Sequence, residues 1–172
     1  MANGWAPVTS SGLPVWRTLP PSLRSMARWL TLVLVIGYGV SLFFVWRTTR
    51  LTPAGIAGHY RGSESPEGAM QFPKSLAEML TIVHTHVLTM ALLFLVSGMG
   101  IMLAERVTER WKRFLCVEPF VALLVSFGSM WLMRYVDPRF AILLAASSAL
   151  MALTFFLQCG LVLRELGWKD PP

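Results

Sequence analysis

The sequence predicts an all-α integral membrane protein, folded as an antiparallel bundle of four transmembrane helices with both termini on the cytoplasmic side. Hydrophobic residues make up 55% of the 172 residues and charged residues only 14%, whereas a soluble domain carries about 25% charged residues. The mean hydropathy is +0.57, and four apolar segments are long enough to cross a bilayer. This composition excludes an ordinary soluble domain, and the 10 Phe, 7 Trp and 10 Met residues exclude a disordered chain.

The net charge of +6 does not indicate a nucleic-acid partner. The Lys and Arg residues stand in small clusters beside the apolar segments, which is typical of membrane proteins. Two cysteines are too few for a disulfide framework. We therefore expect the lipid bilayer and other membrane-protein subunits as partners, and no nucleic acid.

The apolar segments divide the chain into a membrane domain and two tails. A helix rises about 1.5 Å per residue, so it needs about 20 apolar residues to cross a hydrocarbon core of roughly 30 Å. The predicted spans are 29–46, 76–104, 117–135 and 140–163. They define a membrane domain over 29–163 with an outer loop at 48–74, a proline-rich cytoplasmic tail at 1–28 and a cytoplasmic C-terminal tail at 164–172.

The first two spans have recognisable boundaries. The first lies between Arg28 and Arg47, and its apolar core is longer than the roughly 7–15 residues of a cleaved signal sequence. The second follows Ser75, with Glu78 three residues later. That spacing predicts a capping box, and therefore a helix that starts at Ser75.

The third and fourth spans are each preceded by an acidic residue and a proline. Glu118 and Pro119 predict an N-cap and a first-turn proline for the third span. A short amphipathic segment, 105–115, is expected to lie on the membrane surface before it. Asp137 and Pro138 predict the same kind of helix start for the fourth span.

The positive charges predict the orientation. The side that holds both termini carries nine of them, namely Arg17, Arg24, Arg28, Arg106, Arg110, Lys112, Arg113, Arg164 and Lys169. The opposite side carries six, namely Arg47, Arg50, Arg61, Lys74, Arg134 and Arg139. Because Lys and Arg concentrate on the cytoplasmic side, the sequence predicts a bacterial-type inner membrane protein with cytoplasmic termini.

Small and polar side chains recur at helical spacing within the spans, and such residues mark helix contacts in a bilayer. On the second span these residues are His86, Thr89, Leu93, Ser97 and Gly100. On the third and fourth spans they are Ala122, Ser126, Ser129 and Met133, and Ser147, Met151, Thr154 and Gln158. We expect these stripes to face a common interior.

Three histidines, His59, His84 and His86, lie within 28 residues of one another. His84 and His86 fall roughly 14–17 Å along the second span from its start, where an ionisable group is a functional candidate. Residues two positions apart on a helix point in nearly opposite directions, so these two imidazoles cannot bind one ion or one haem together. His86 belongs to the polar stripe, whereas His84 shares an apolar face and should meet another helix, a partner chain or a cofactor.

The histidines predict a cofactor site on the outer side, with haem b or a quinone as the candidates. A haem b held by His84 or His86 needs a second axial ligand. That ligand could be His59, a methionine of the third span (Met130 or Met133), or a residue of another subunit. Arg47, Arg134 and Arg139 lie at the same surface, where they could contact haem propionates or anchor the helix ends in the interface. Interhelical hydrogen bonding and a proton role are the other possibilities for the two histidines.

A closed zinc site is disfavoured because Cys116 and Cys159 lie at the end of the bundle opposite the histidines. Cys116, Glu118 and Gln158 could approach one another at that end, either as a site or as simple packing. The sequence contains no recognisable nucleophile–histidine–acid arrangement or phosphate-binding glycine loop, so no catalytic residue is predicted.

These observations predict a small subunit of a larger, electron-transfer membrane complex without catalytic activity of its own. Its candidate cofactor-binding residues are His84, His86, His59, Arg134 and Arg47, and the candidate metal ligands among them are His84 and His86. The alternative is a structural or assembly subunit that binds no cofactor.

Overall fold

The chain forms an all-α membrane protein, as the sequence predicts. The computed structural model describes residues 12–64 and 70–167. In that part of the chain a 3₁₀ turn at Trp16–Thr18 precedes the helices α1 (Pro21–Thr49), α2 (Pro53–Arg61), α3 (Leu76–Met102), α4 (Glu109–Tyr135) and α5 (Phe140–Leu166). All of these helices except α2 are long and apolar enough to cross a membrane, which makes the chain a multi-pass membrane protein.

Helix α5 lies at the centre of the bundle. It packs against α4 most extensively and also contacts α3, α1 and α2, and α3 and α4 also pack against each other. Residues 12 and 167 lie at one end of the bundle, which we call the terminal end. The opposite end, which α2 covers, is the loop end.

The loop end is closed by α2 and a short hairpin. Strands β1 (Ser63–Glu64) and β2 (Met70–Gln71) pair antiparallel. Ile56 of α2 is buried against a cluster formed by Met79, Met130, Met133 and Ala141. Part of the predicted outer loop is therefore a helix that closes the bundle core at this end.

Helix α3 begins as predicted. The Ser75 hydroxyl accepts a hydrogen bond from the Glu78 backbone N–H at 3.3 Å, and the Glu78 carboxylate accepts one from the Ser75 N–H at 2.7 Å. These two bonds complete the capping box and satisfy two of the backbone donors that every helix start leaves free.

Helix α4 departs from the prediction. The expected surface segment 105–115 and the expected helix start at Glu118–Pro119 are replaced by one continuous helix with Pro119 in its interior. Proline has no N–H, so the carbonyl of Leu115 loses its usual helical donor. The Gln158 side chain of α5 replaces that donor, because its Nε2 donates to the Leu115 oxygen at 2.7 Å. The helix therefore continues through the proline.

Helix α5 also starts differently from the prediction. Asp137 was expected as its N-cap and Pro138 as its first residue, but the N-cap is Arg139, with no side-chain capping bond. The Asp137 carboxylate instead accepts a hydrogen bond from the Arg139 N–H at 2.7 Å. It therefore closes the tight turn between α4 and α5, and the helix begins after that turn.

The chain before α1 docks on the bundle over its described part. Val15 and Trp16 are buried, and the Trp16 indole N–H donates to the Gly100 carbonyl at 2.9 Å. Helix α1 itself begins at Pro21, earlier than the predicted span. The predicted tail residues 1–11 and 168–172, including Lys169, lie outside the described residues.

The predicted polar stripes of α4 and α5 face each other. The hydroxyls of Ser126 and Ser147 lie 2.8 Å apart, and Ser129, Thr154 and Gln158 are buried. On α3 the prediction holds only at the terminal end. There Ser97 and Gly100 are buried, while His86 and Thr89 at the loop end are exposed. The loop-end interior is filled instead by the apolar cluster beneath α2.

Candidate functional site

The two helix histidines lie on the loop-end half of α3. Both are exposed, and they are roughly 14–17 Å along the helix axis from Ser75. Being two residues apart, they leave the helix in nearly opposite directions. The structure therefore offers two separate single-imidazole positions rather than one two-histidine site.

His86 has a defined tautomer. Its Nδ1 lies 2.9 Å from the carbonyl oxygen of Ile82, and a carbonyl can only accept a hydrogen bond. The proton of the neutral ring is therefore on Nδ1, and Nε2 carries the lone pair. The ring lies 6.3 Å from that of Phe127 on α4, at the edge of the seam between α3 and α4.

His84 lies on an exposed apolar face of α3. Leu80 and Leu88, one turn to either side, are 54% and 57% exposed. Within the described residues, no hydrogen bond or ring contact engages the His84 imidazole. In a bilayer this face contacts either lipid or another molecule.

His59 lies on α2 and is half-buried. Its ring packs edge-on against that of Tyr60, with 5.1 Å between the ring centroids. Burial, with a smaller contribution from the Lys74 ammonium, lowers the pKa of His59 below its usual value of 6.5. The imidazole is therefore neutral at pH 7, the form that can bind a metal.

The two candidate arginines differ in their surroundings. Arg134 holds the loop in place, because its Nε donates to the Lys74 carbonyl at 3.0 Å and its guanidinium lies 5.0 Å from the centroid of the Tyr135 ring. Arg47 is exposed in the last turn of α1. Of these two, Arg47 is the one whose side chain is open to a ligand.

Two of the proposed second ligands for a haem are sealed in the core. Met130 and Met133 are 2% and 0% exposed and pack beneath α2. The described part of the chain also contains no group of three or more His, Cys, Asp and Glu side chains that could hold a metal ion. Of the second axial ligands considered for His84 or His86, His59 and a residue of another chain remain.

At the terminal end, the expected approach of Cys116, Glu118 and Gln158 does not produce a shared site. The Gln158 amide bonds the Leu115 carbonyl and the Ser97 hydroxyl, and the Cys116 thiol points to the Gly98 carbonyl at 3.6 Å. Sequence reasoning missed the role of Gln158. The sequence did contain a signal for this role. A proline inside one span leaves a backbone carbonyl without its N–H donor, and a glutamine in another span can supply a donor.

Comparison with known proteins gives one match. The model of a protein family described as a transmembrane helical domain matches residues 50–171, which include α2 to α5 and the hairpin. No curated protein and no solved structure matches the chain.

Proposed function

The chain belongs to this family of transmembrane helical domains, and from that premise we propose that it is a small subunit of a larger electron-transfer complex in the membrane. In this proposal α3 contributes a single imidazole to a redox site in the loop-end half of the bilayer, and a neighbouring subunit completes the site. The site holds a haem b or a quinone.

The observation that carries this proposal is the hydrogen bond between His86 Nδ1 and the Ile82 carbonyl. Histidines that bind metals commonly donate their other ring N–H to such an acceptor, which fixes the tautomer and the orientation of the ring. The bond leaves the Nε2 lone pair of His86 on an exposed ring. That nitrogen is suited to bind iron or to accept a hydrogen bond from a quinol hydroxyl.

The geometry of the histidines supports the neighbouring subunit in this proposal. A haem b with two axial ligands needs both faces of the iron occupied, and His84 and His86 point away from each other. The buried methionines of α4 do not reach the bilayer-facing surface. A ligand from a second chain supplies the missing group without any change in this fold, and Arg47 supports the proposal as an exposed cation on the same side for an anionic group.

A second candidate function is that of a structural subunit without a cofactor. It is favoured by the exposed apolar face around His84, where Leu80 and Leu88 are also exposed. An imidazole there is satisfied if a neighbouring membrane helix donates a hydrogen bond to it. In that case His84 is an assembly contact and His86 has no ligand.

The decisive measurement is a reduced-minus-oxidised absorption spectrum of the protein purified gently in detergent with its partners attached. If His86 binds haem, the wild type shows sharp Soret and α bands that His86→Leu removes. Thr85→Val, a change at an exposed position between the two histidines, keeps them. Retained helicity and elution volume confirm that His86→Leu is folded.

The other outcomes separate the alternatives. A flat wild-type spectrum, with a quinone that is extracted from the wild type but not from His86→Leu, indicates the quinone site. If neither cofactor is found and His84→Leu loses a co-purifying chain, the structural role is correct. Unchanged spectra and unchanged association in both variants contradict both proposals.

The orientation and the membrane also belong to this proposal. The excess of positive charge on the side to which the sequence assigns both termini, nine against six, supports cytoplasmic termini in a bacterial-type inner membrane. The loop end, with α2, His59 and Arg47, then faces the opposite side.

A further inference from the structure

Three arginines with exposed side chains lie close together at the terminal end. They are Arg106, just before α4, and Arg110 and Arg113 in its first two turns. Within the part of the chain that the structure describes, no hydrogen bond or ion pair engages any of their guanidinium groups. Because like charges at this spacing repel one another, an anion from outside the chain would stabilise the cluster.

The carboxylates of the terminal end do not neutralise this cluster, because three of them bind other groups. Glu105 binds Arg17 at 2.6 Å, Glu109 binds Lys112 at 3.2 Å, and Glu165 accepts a hydrogen bond from the backbone N–H of Arg106 at 2.8 Å. A further acid of α4, Glu118, is buried, whereas the three arginines are exposed. Their guanidinium groups therefore face the surroundings without a carboxylate partner among the described residues.

The stability of α4 does not explain these arginines. The N-cap residue Thr108 makes no side-chain capping hydrogen bond, so the first backbone N–H groups of the helix keep their partial positive charge. A cation such as Arg110 in the first turn adds to that charge, which is unfavourable for the helix. An anion bound at this position would offset both charges.

Two exposed aromatic residues, Trp111 and Phe114, stand beside the arginines. Their rings pack edge-on, with 5.8 Å between the ring centroids, and both side chains are exposed. Tryptophan concentrates at the headgroup level of a membrane, where its apolar ring and its polar N–H are both satisfied. This pair therefore indicates that the start of α4 lies at the membrane–water interface, with Arg110 and Arg113 at the depth of the phosphate groups.

The same face of α4 continues into the membrane as an apolar strip, formed by Val117, Val121 and Leu124. All three side chains are exposed, and at about 100° per residue they lie within roughly 100° of one another and of Arg110 and Arg113. Arg113 and Leu124 are roughly 17 Å apart along the helix axis, about the roughly 15 Å of hydrocarbon in one leaflet. Cations, interfacial aromatics and the apolar strip thus follow one another in the order of phosphate, glycerol and acyl chain in a phospholipid.

We propose that this face of α4 binds a phospholipid whose headgroup has a net negative charge, in the leaflet at the terminal end. Arg110 and Arg113, with Arg106 beside them, hold the phosphate, since a guanidinium group can donate two parallel hydrogen bonds to phosphate oxygens. A zwitterionic lipid is disfavoured because its ammonium group returns a positive charge to the cluster. The site is separate from the histidines of α3 and does not depend on a cofactor there.

Native mass spectrometry of the full-length protein in detergent micelles tests the proposal, because both ends of the bundle are then accessible to added lipid. The wild type is expected to bind one phosphatidylglycerol more tightly than phosphatidylcholine. Arg110→Gln combined with Arg113→Gln should weaken phosphatidylglycerol binding roughly 30-fold, since each arginine near a membrane surface contributes roughly a factor of five. Arg50→Gln combined with Arg139→Gln removes the same charge from exposed positions at the loop end and should leave the affinity unchanged.

Three other results overturn the proposal. Equal affinity of the wild type for the two lipids shows that the headgroup charge is not recognised. Equal losses in the two double variants show attraction to the overall charge rather than a site on α4. Glycerol phosphate, which has the anionic group but no acyl chain, should not displace the lipid at equal concentration, and displacement shows a phosphate site without the apolar strip. The comparison of the two lipids uses the wild type alone, so it stands even if a variant does not fold.

Discussion

At the scale of single residues, Gln158 supplies the hydrogen bond that Pro119 removes from α4. Its Nε2 donates to the Leu115 carbonyl, and its Oε1 accepts from the Ser97 hydroxyl, each at 2.7 Å. One side chain thus joins α5 to α4 and α3 in a buried layer. In the absence of water, a backbone carbonyl left without a donor is costly.

Gln158→Leu is therefore expected to destabilise the bundle. The variant keeps the apolar bulk but leaves the Leu115 carbonyl and the Ser97 hydroxyl without their partner, at a cost of about 1–3 kcal/mol in free energy of unfolding. The free energy is measured by SDS titration in mixed micelles. Ser147→Ala, which removes a buried hydroxyl contact remote from the proline, should cost less, about 0.6 kcal/mol. Equal losses in the two variants would contradict the special role of Gln158.

Side-chain interactions could be predicted from the sequence where the two residues are close together in the chain. Ser75 and Glu78 are three positions apart, so their capping box is visible in the sequence. The partner of Pro119 is 39 positions away, at Gln158, and no local pattern links the two. Without that partner, an internal proline predicts a helix boundary, which is why the start of α4 was predicted wrongly.

At the scale of elements, α2 determines how the loop end is closed. Its N-cap Thr52 accepts a hydrogen bond from the Gly55 N–H at 3.0 Å, and Ile56 inserts into the apolar cluster below. Arg61 donates to the carbonyl of Met133 at 2.8 Å and so caps the last turn of α4. This helix was not predicted, because nine residues of mixed polarity carry no strong periodicity.

The stability of the loop end should depend on pH through His59. Burial and Lys74 lower its pKa in the folded protein, while the unfolded chain keeps a value near 6.5. The contribution of neutral His59 to the free energy of unfolding is therefore complete above pH 6.5. It is lost as the pH falls through the lowered pKa of His59 in the folded protein. The free energy of unfolding of the wild type should drop as the pH falls below 6.5, and His59→Gln should reduce that drop. His84→Gln, at an exposed site, serves as the control, and an equal effect of the two variants would refute the role of His59.

The candidate histidine site could be predicted only in part. Helical spacing alone places His84 and His86 on opposite sides of α3, and the structure shows both imidazoles exposed. The spacing also predicted an inward His86. That was wrong because the apolar side chains of α2, α4 and α5 already fill the loop-end core. Whether either imidazole binds a cofactor stays a prediction.

At the scale of the whole molecule, the distribution of charge predicts how the bundle sits in the membrane. Hydropathy revealed the four spans because each of these helices is long and apolar enough to cross a membrane. The side to which the sequence assigns both termini carries nine positive charges and the opposite side six, an excess of three. Three exposed arginines lie on the more positive side, and their number equals that excess. They are Arg106, Arg110 and Arg113.

Replacing these three arginines with glutamine should therefore produce mixed orientation. In the wild type, a fluorescent protein fused after residue 172 should fluoresce and a phosphatase fused there should be inactive, since the first reports a cytoplasmic and the second an external position. The triple variant should show both signals. Replacing Arg47, Arg50 and Arg139 together with glutamine should leave the wild-type pattern unchanged. An active phosphatase on the wild type would show that the topology is opposite to the predicted one.

The packing of α1 against α5 has a consequence for biosynthesis. About 90 residues separate the two helices in the chain, which at 5–20 residues per second take roughly 5–20 s to synthesise. During that time α1 is already in the membrane, but the α5 surface that receives Tyr38 has not yet been made. Closure of the bundle is therefore a late step of insertion. Until α5 has been inserted, the unpacked surface of α1 is accessible to chaperones or neighbouring chains.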